Sequence, residues 1–140
     1  MQARRRSAAR VQQQQQAEGI SASREVMIVD DERDIVEVLA DLLRDEGYTP
    51  VVFLDGAAAL AYLSERLPAL VITDLRLPAM SGQEFVARLR AQCGPALPVV
   101  VMSAAVTAEA VDELPVQAVL KKPFELDDFA TLIHRWAPQR

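Results

Sequence analysis

The chain has one cysteine, one histidine and one tryptophan, and aromatic residues make up 5% of it. Cys93 has no intrachain partner for a disulfide, so a reduced, cytoplasmic setting is the simplest expectation. One histidine and one cysteine do not make the ligand cluster that zinc takes. No stretch reaches the roughly 20 apolar residues of a membrane-spanning helix. The arginines near the N-terminus are not followed by an apolar segment, so no secretory signal is expected. A Gly-x-x-x-x-Gly-Lys loop, the usual phosphate cradle of nucleotide-binding chains, is also missing.

What is present suits one globular domain. The 140 residues are enough for a self-sufficient core, and 51% of them are hydrophobic against 25% charged. The net charge of −5 is unevenly spread: residues 1–23 carry four arginines (Arg4, Arg5, Arg6 and Arg10) against Glu18, a net +3, which leaves −8 for the rest. An acidic body argues against nucleic-acid binding by the domain itself and suits a cation. Residues 1–23 include a five-glutamine run and almost no apolar periodicity. They read as a disordered basic arm, with residues 24–140 as the folded domain. A tether for an anionic partner and a start codon placed too early are the other readings of that arm.

From residue 25 the pattern alternates between short apolar runs and helical periodicity. Val26–Val29 predicts a first strand, and Ile35, Leu39, Leu42 and Leu43 a helical face ended by Gly47. Tyr48–Leu54 predicts a second strand, with Asp55 capping a helix whose Leu60, Leu63 and Leu67 face inward. Ala69–Thr73 is the expected third strand. Ser81 and Glu84 have the spacing of a capping box, opening a helix with Phe85, Val86 and Leu89 that Gly94 and Pro95 end. Pro98–Met102 predicts the fourth strand, Thr107 to Leu114 a short fourth helix, and Val116–Leu120 the fifth strand. A fifth helix, Glu125–Trp136, would carry Leu126, Phe129, Ile133 and Trp136 on one stripe. Five strand–helix repeats imply an α/β fold: a parallel sheet between two helical layers, with the flavodoxin-like order 2-1-3-4-5 expected.

That order gathers Asp30 and Asp31, after the first strand, with Asp74, after the third, at the edge where open α/β sheets bind ligands. Two carboxylates about 4 Å apart repel by roughly 4 kcal/mol at an effective dielectric near 20, so the crevice needs a proton or a cation. Oxygen-only ligands suit Mg²⁺, which keeps several waters. Ser103 follows the fourth strand, where its hydroxyl can donate to a phosphoryl oxygen. Lys122 lies at the crevice rim as a point cation, while Lys121 should point to the opposite face. Pro123 is a candidate for a cis peptide bond. Taken singly, each residue has a plainer reading: helix caps for Asp30 and Asp31, a turn residue for Asp74, an N-cap for Ser103, and a solvated surface lysine for Lys122. Cys93, Phe124 and Trp136 read as packing residues, and His134 as a solvated residue at a helix end.

Asp30-Asp31-Glu32, Asp74, Ser103-Ala104 and Lys122-Pro123-Phe124, each after its strand, resemble the response-regulator receiver domain of two-component signalling over residues 25–137. The resemblance implies that Asp74 takes a phosphoryl group from a phosphohistidine on a sensor histidine kinase or phosphotransfer protein. It implies that Asp31 and Asp74 ligate Mg²⁺, Asp30 through water, with the backbone carbonyl of Arg76 adding a ligand. Ser103 and Lys122 would bind the phosphoryl oxygens. Such a domain would catalyse its own phosphorylation and slow hydrolysis and signal through a downstream protein; a stand-alone module is the expectation here. The family's strand-five switch aromatic, three positions before the lysine, is Val119 in this sequence. The segment from Ser103 to Lys122 is also short. Both departures fall on the face of the fourth helix, fifth strand and fifth helix, where receivers dimerise or dock partners, so an atypical output surface is expected.

Two other functions fit parts of this pattern. A receiver-like scaffold that works without phosphate would fit Val119. An aspartyl phosphatase of the haloacid dehalogenase type also uses Asp and Mg²⁺, but it needs an aspartate two positions after the nucleophile, and that position is Arg76.

Overall fold

The computed structural model describes residues 23–104 and 114–139. The elements run β1 Glu25–Val29, α1 Arg33–Asp45, β2 Thr49–Phe53, α2 Gly56–Leu63, β3 Leu70–Asp74, α3 Gly82–Cys93, β4 Val99–Ser103, β5 Ala118–Lys121 and α4 Leu126–Trp136. All strand pairs are parallel, and the sheet order is β2-β1-β3-β4-β5. The expected architecture is therefore the one observed. The predicted short helix from Thr107 falls on residues 105–113, outside the described residues.

The central strands β3 and β4 are buried at every position, as helices on both faces of a parallel sheet require. One face packs Val26, Ile28, Leu70, Ile72, Val100 and Met102 against Val36, Leu39 and Leu43 of α1 and Phe129 and Ile133 of α4. The other packs Met27, Val29, Val71, Val99 and Val101 against Ala59 and Leu63 of α2 and Phe85, Val86 and Leu89 of α3. Each fully buried Val, Leu, Ile, Phe or Met side chain stabilises the fold by about 1.5–3 kcal/mol. The edge strand β2 tolerates Pro50, because a proline lacks the N–H that a second neighbouring strand would need.

Some local expectations hold and others change. Asp55 caps α2 by accepting from Ala58 N at 2.8 Å. Ser81 caps α3 by accepting from Glu84 N at 3.1 Å, but the Glu84 carboxylate pairs with Arg88 at 2.7 Å. Only half of the capping box forms, since an i,i+4 arginine competes for the glutamate. Leu126, expected on the buried stripe of the last helix, is 44% exposed because it occupies the helix's first position. His134 is not simply solvated: its Nε2 pairs with Glu46 and its Nδ1 lies 3.3 Å from the Tyr48 hydroxyl. Phe124 stacks on Phe129 with ring centroids 6.0 Å apart. The Trp136 indole Nε1 is buried and has no hydrogen-bond partner among the described residues.

Candidate functional site

The site lies at the carboxyl edge of the sheet, and backbone bonds just past the strand ends fix it. Asp30 N donates to Phe53 O, Leu75 N to Met102 O, and Lys122 N to Ser103 O at 2.7 Å. Each bond continues a ladder one residue beyond its strand, so Asp30, Asp74, Ser103 and Lys122 are held at one edge although they are far apart in sequence. The Lys122–Pro123 peptide bond is cis.

Gly82 brings α3 against this edge. A Cβ there would lie 2.4 Å from Leu75 Cα and 2.6 Å from the Asp74 carbonyl oxygen, so only glycine fits at the first position of α3. Gly82 N donates to Leu75 O at 2.9 Å, and Met80 N to Pro78 O at 2.7 Å across Ala79, whose φ is +67°. That three-residue turn is a strained conformation, placed a few residues after Asp74.

The Lys122 ammonium sits among three carboxylates, at 3.1 Å from Asp74 Oδ2, 3.3 Å from Glu32 Oε1 and 3.4 Å from Asp30 Oδ2. The other Asp30 oxygen accepts from Glu32 N at 3.0 Å, and Asp74 Oδ1 from Arg76 N at 3.2 Å. Asp30 is fully buried and Asp74 nearly so, whereas the Glu32 side chain is 57% exposed. Burial pushes the Asp30 carboxyl above the ordinary carboxylate range and the Asp74 charge adds to this, against the Glu32 N–H and Lys122. Burial pulls the Lys122 ammonium down, but Asp30, Asp74 and Glu32 together leave it above its ordinary value.

The structure thus brings Asp30, Asp74, Ser103 and Lys122 together. Ser103 is buried at the end of β4, and Lys121 faces solvent. Asp31 is exposed beside the cluster, and Arg76 is exposed past it. Val119, the expected switch position, is 39% exposed. The residue that sequence reasoning did not single out is Glu32. Its carboxylate, with those of Asp30 and Asp74, places ligand oxygens within 4.8 Å of one another. The signal was the unbroken Asp-Asp-Glu run, in which the third acid becomes the N-cap of α1 without making a side-chain cap bond. Hard oxygen donors with surplus negative charge in a half-buried crevice fit a divalent cation such as Mg²⁺.

Beside the cluster an apolar groove of about 590 Å³ is lined by Asp34, Ile35, Val38, Pro123, Phe124 and Leu126, with Lys122 at its edge.

The family model for the response regulator receiver domain matches residues 26–134. The chain is 39% identical over 79 residues to the DNA-binding response regulator MtrA of Mycobacterium tuberculosis, a match covering 56% of this chain and 34% of MtrA. It thus spans about a third of the length of such curated relatives. A response regulator receiver protein from Pseudomonas putida superimposes with a TM-score of 0.76 at 30% identity, covering 83% of this chain and 99% of that one. The receiver domain of the sensor histidine kinase PA1611 from Pseudomonas aeruginosa shares the fold, with a TM-score of 0.75 at 24% identity over 83% of this chain and 98% of that one. That structure holds a magnesium ion in its active-site cleft. The chain belongs to the response-regulator receiver domain family. Among the described residues no helix is long and apolar enough to cross a membrane.

Proposed function

We propose that this receiver domain accepts a phosphoryl group on Asp74 from a phosphohistidine of a sensor kinase or phosphotransfer protein, with Mg²⁺ as cofactor, and signals by protein contacts. The observation that carries this reading is the Lys122 ammonium, shared among three carboxylates and 3.1 Å from Asp74. One cation cannot neutralise three acids, so the site has capacity for a second cation and for an incoming group that Lys122 can pair with. Asp30, Asp31, Asp74 and the Arg76 carbonyl are the proposed metal-binding groups; the ion would supply charge neutralisation at the phosphoryl oxygens.

In the transfer an Asp74 carboxylate oxygen forms the new P–O bond as the P–N bond to the donor imidazole breaks. The imidazole leaves with the electron pair and takes up a proton. Lys122 and the Ser103 hydroxyl bind phosphoryl oxygens, and the Arg76 N–H bond orients the carboxylate. Hydrolysis reverses the gain: a water oxygen bonds phosphorus as the P–O bond to Asp74 breaks, which restores the Asp74 carboxylate and releases inorganic phosphate and a proton. The apolar groove beside Lys122 offers the donor protein a foothold next to Asp74. The acidic body favours protein partners over nucleic acid for this domain.

The experiment is incubation of wild type and Asp74→Asn with acetyl phosphate and Mg²⁺. Intact mass should show one acid-stable, base-labile phosphoryl adduct on the wild type alone. An adduct on both proteins, or on neither, would refute the assignment.

The partly exposed aliphatic side chain of Val119 favours a second reading, a scaffold whose partner contacts do not depend on phosphate. A strong change in partner affinity on beryllofluoride addition would eliminate it.

A further inference from the structure

We infer that Glu32 is a mobile counter-ion for Lys122, and that it governs how readily the site takes up a phosphoryl group by competing for the ammonium. The inference rests on the phosphoacceptor reading and adds to it a positioning residue.

Lys122 has three N–H donors and three carboxylate partners at 3.1, 3.3 and 3.4 Å. All three distances are longer than the roughly 2.7–2.9 Å of a strong charge-assisted hydrogen bond, so the ammonium is shared rather than committed. An arriving phosphoryl group brings three more acceptor oxygens. Lys122 can turn to them only by giving up a partner. Asp30 cannot yield, because it is fully buried and its second oxygen is held by Glu32 N at 3.0 Å. Asp74 is the acceptor itself. Glu32 remains: its side chain is 57% exposed and makes no cap bond to α1. Released into solvent at a helix N-terminus, its carboxylate still sits in a favourable field. The lysine thus passes from Glu32 to the phosphoryl oxygens, and the strength of the Glu32 pair opposes uptake.

The test is a double-mutant cycle on Glu32→Gln and Lys122→Ala, read as the initial rate of acyl phosphate formation from acetyl phosphate at saturating Mg²⁺. Glu32→Gln in the wild-type background should raise the rate about 2–5-fold, the factor expected of a half-exposed ion pair. The gain should shrink as ionic strength rises. In the Lys122→Ala background, slower by about 10²-fold but within reach of mass spectrometry over hours, Glu32→Gln should have no effect. An equal gain in both backgrounds would mean direct repulsion of the anionic donor and would overturn the inference. A loss of rate would make Glu32 a metal ligand, and an unchanged rate a bystander; either overturns it too. Unfolding midpoints of the variants separate these outcomes from misfolding. An adduct absent from the wild type would instead refute the phosphoacceptor reading itself.

Discussion

Two cations of this domain, Lys122 and Arg90, are each surrounded by acceptors, and they are opposites. Arg90, in the last turn of α3, donates from Nε to Pro115 O at 2.9 Å, from Nη1 to Gly94 O and Leu97 O, and from Nη2 to Gln117 Oε1 at 3.0 Å. Every acceptor is neutral, and Gln117 Oε1 also takes the Val99 N–H at 2.6 Å. Burial pulls the Arg90 guanidinium below its ordinary value, opposed only in part by the neighbouring Cys93. Lys122 shifts the other way, because its acids outweigh its burial. The arginine directs four of its five N–H donors to neutral acceptors and is a clamp between the entrances of β4 and β5. The lysine has too much negative charge around it and is a site. A cation matched to neutral acceptors holds a fold together, whereas one outnumbered by acids leaves room for a ligand.

The contrast can be broken at either end. Lys122→Ala should lower the rate of acyl phosphate formation by about 10²-fold, as loss of one donor to a developing anion does elsewhere. Intact mass against time measures it. Arg90→Ala should leave that rate, per folded molecule, within about twofold, yet reduce stability in urea by about 2–3 kcal/mol, because four acceptors lose their donor. Arg90→Lys should recover less than half of that, since an ammonium lacks the fork. Gly82→Ala approaches the site through backbone alone. Its Cβ would overlap the Asp74 carbonyl, so a loss of about 1–3 kcal/mol in the same urea assay is expected, with a slower Asp74 reaction. The smallest effect is expected at Arg76, which faces solvent beside Asp74: Arg76→Ala should speed decay of the acyl phosphate only a few-fold by removing a shield against water. Unchanged or slower decay would count against that shield.

The fold was readable because its signals are local and repeated. Short apolar runs such as Val26–Val29 and Val99–Met102 end in polar residues at one sheet edge, and caps such as Asp55 and Ser81 sit where the hydroxyl or carboxylate predicts. What sequence did not reveal depends on which side chain wins a competition in space. Glu84 satisfied the capping-box spacing but was taken by Arg88. His134 looked like a helix-end residue because Glu46 and Tyr48, its partners, lie more than 80 positions away. Asp31 and Glu32 are neighbours in one acidic run. Only the turn into α1 decides that the Glu32 carboxylate faces Lys122 while Asp31 stays exposed. The face built on the expected fourth helix lies partly outside the described residues.

The Tyr48 hydroxyl, donating to the carbonyl of Ala137, joins the turn after α1 to the far end of α4, and the Gln139 side chain adds a bond to Glu46 O. The apolar stripe of α1 is covered in part by Phe129, Ile133 and Ala137, the last described stretch to leave the ribosome. During synthesis the earliest described helix must therefore wait with an uncovered flank while about ninety further residues are made. A nascent chain stalled before α4 should expose that flank to chaperones, and releasing the final helix should close it.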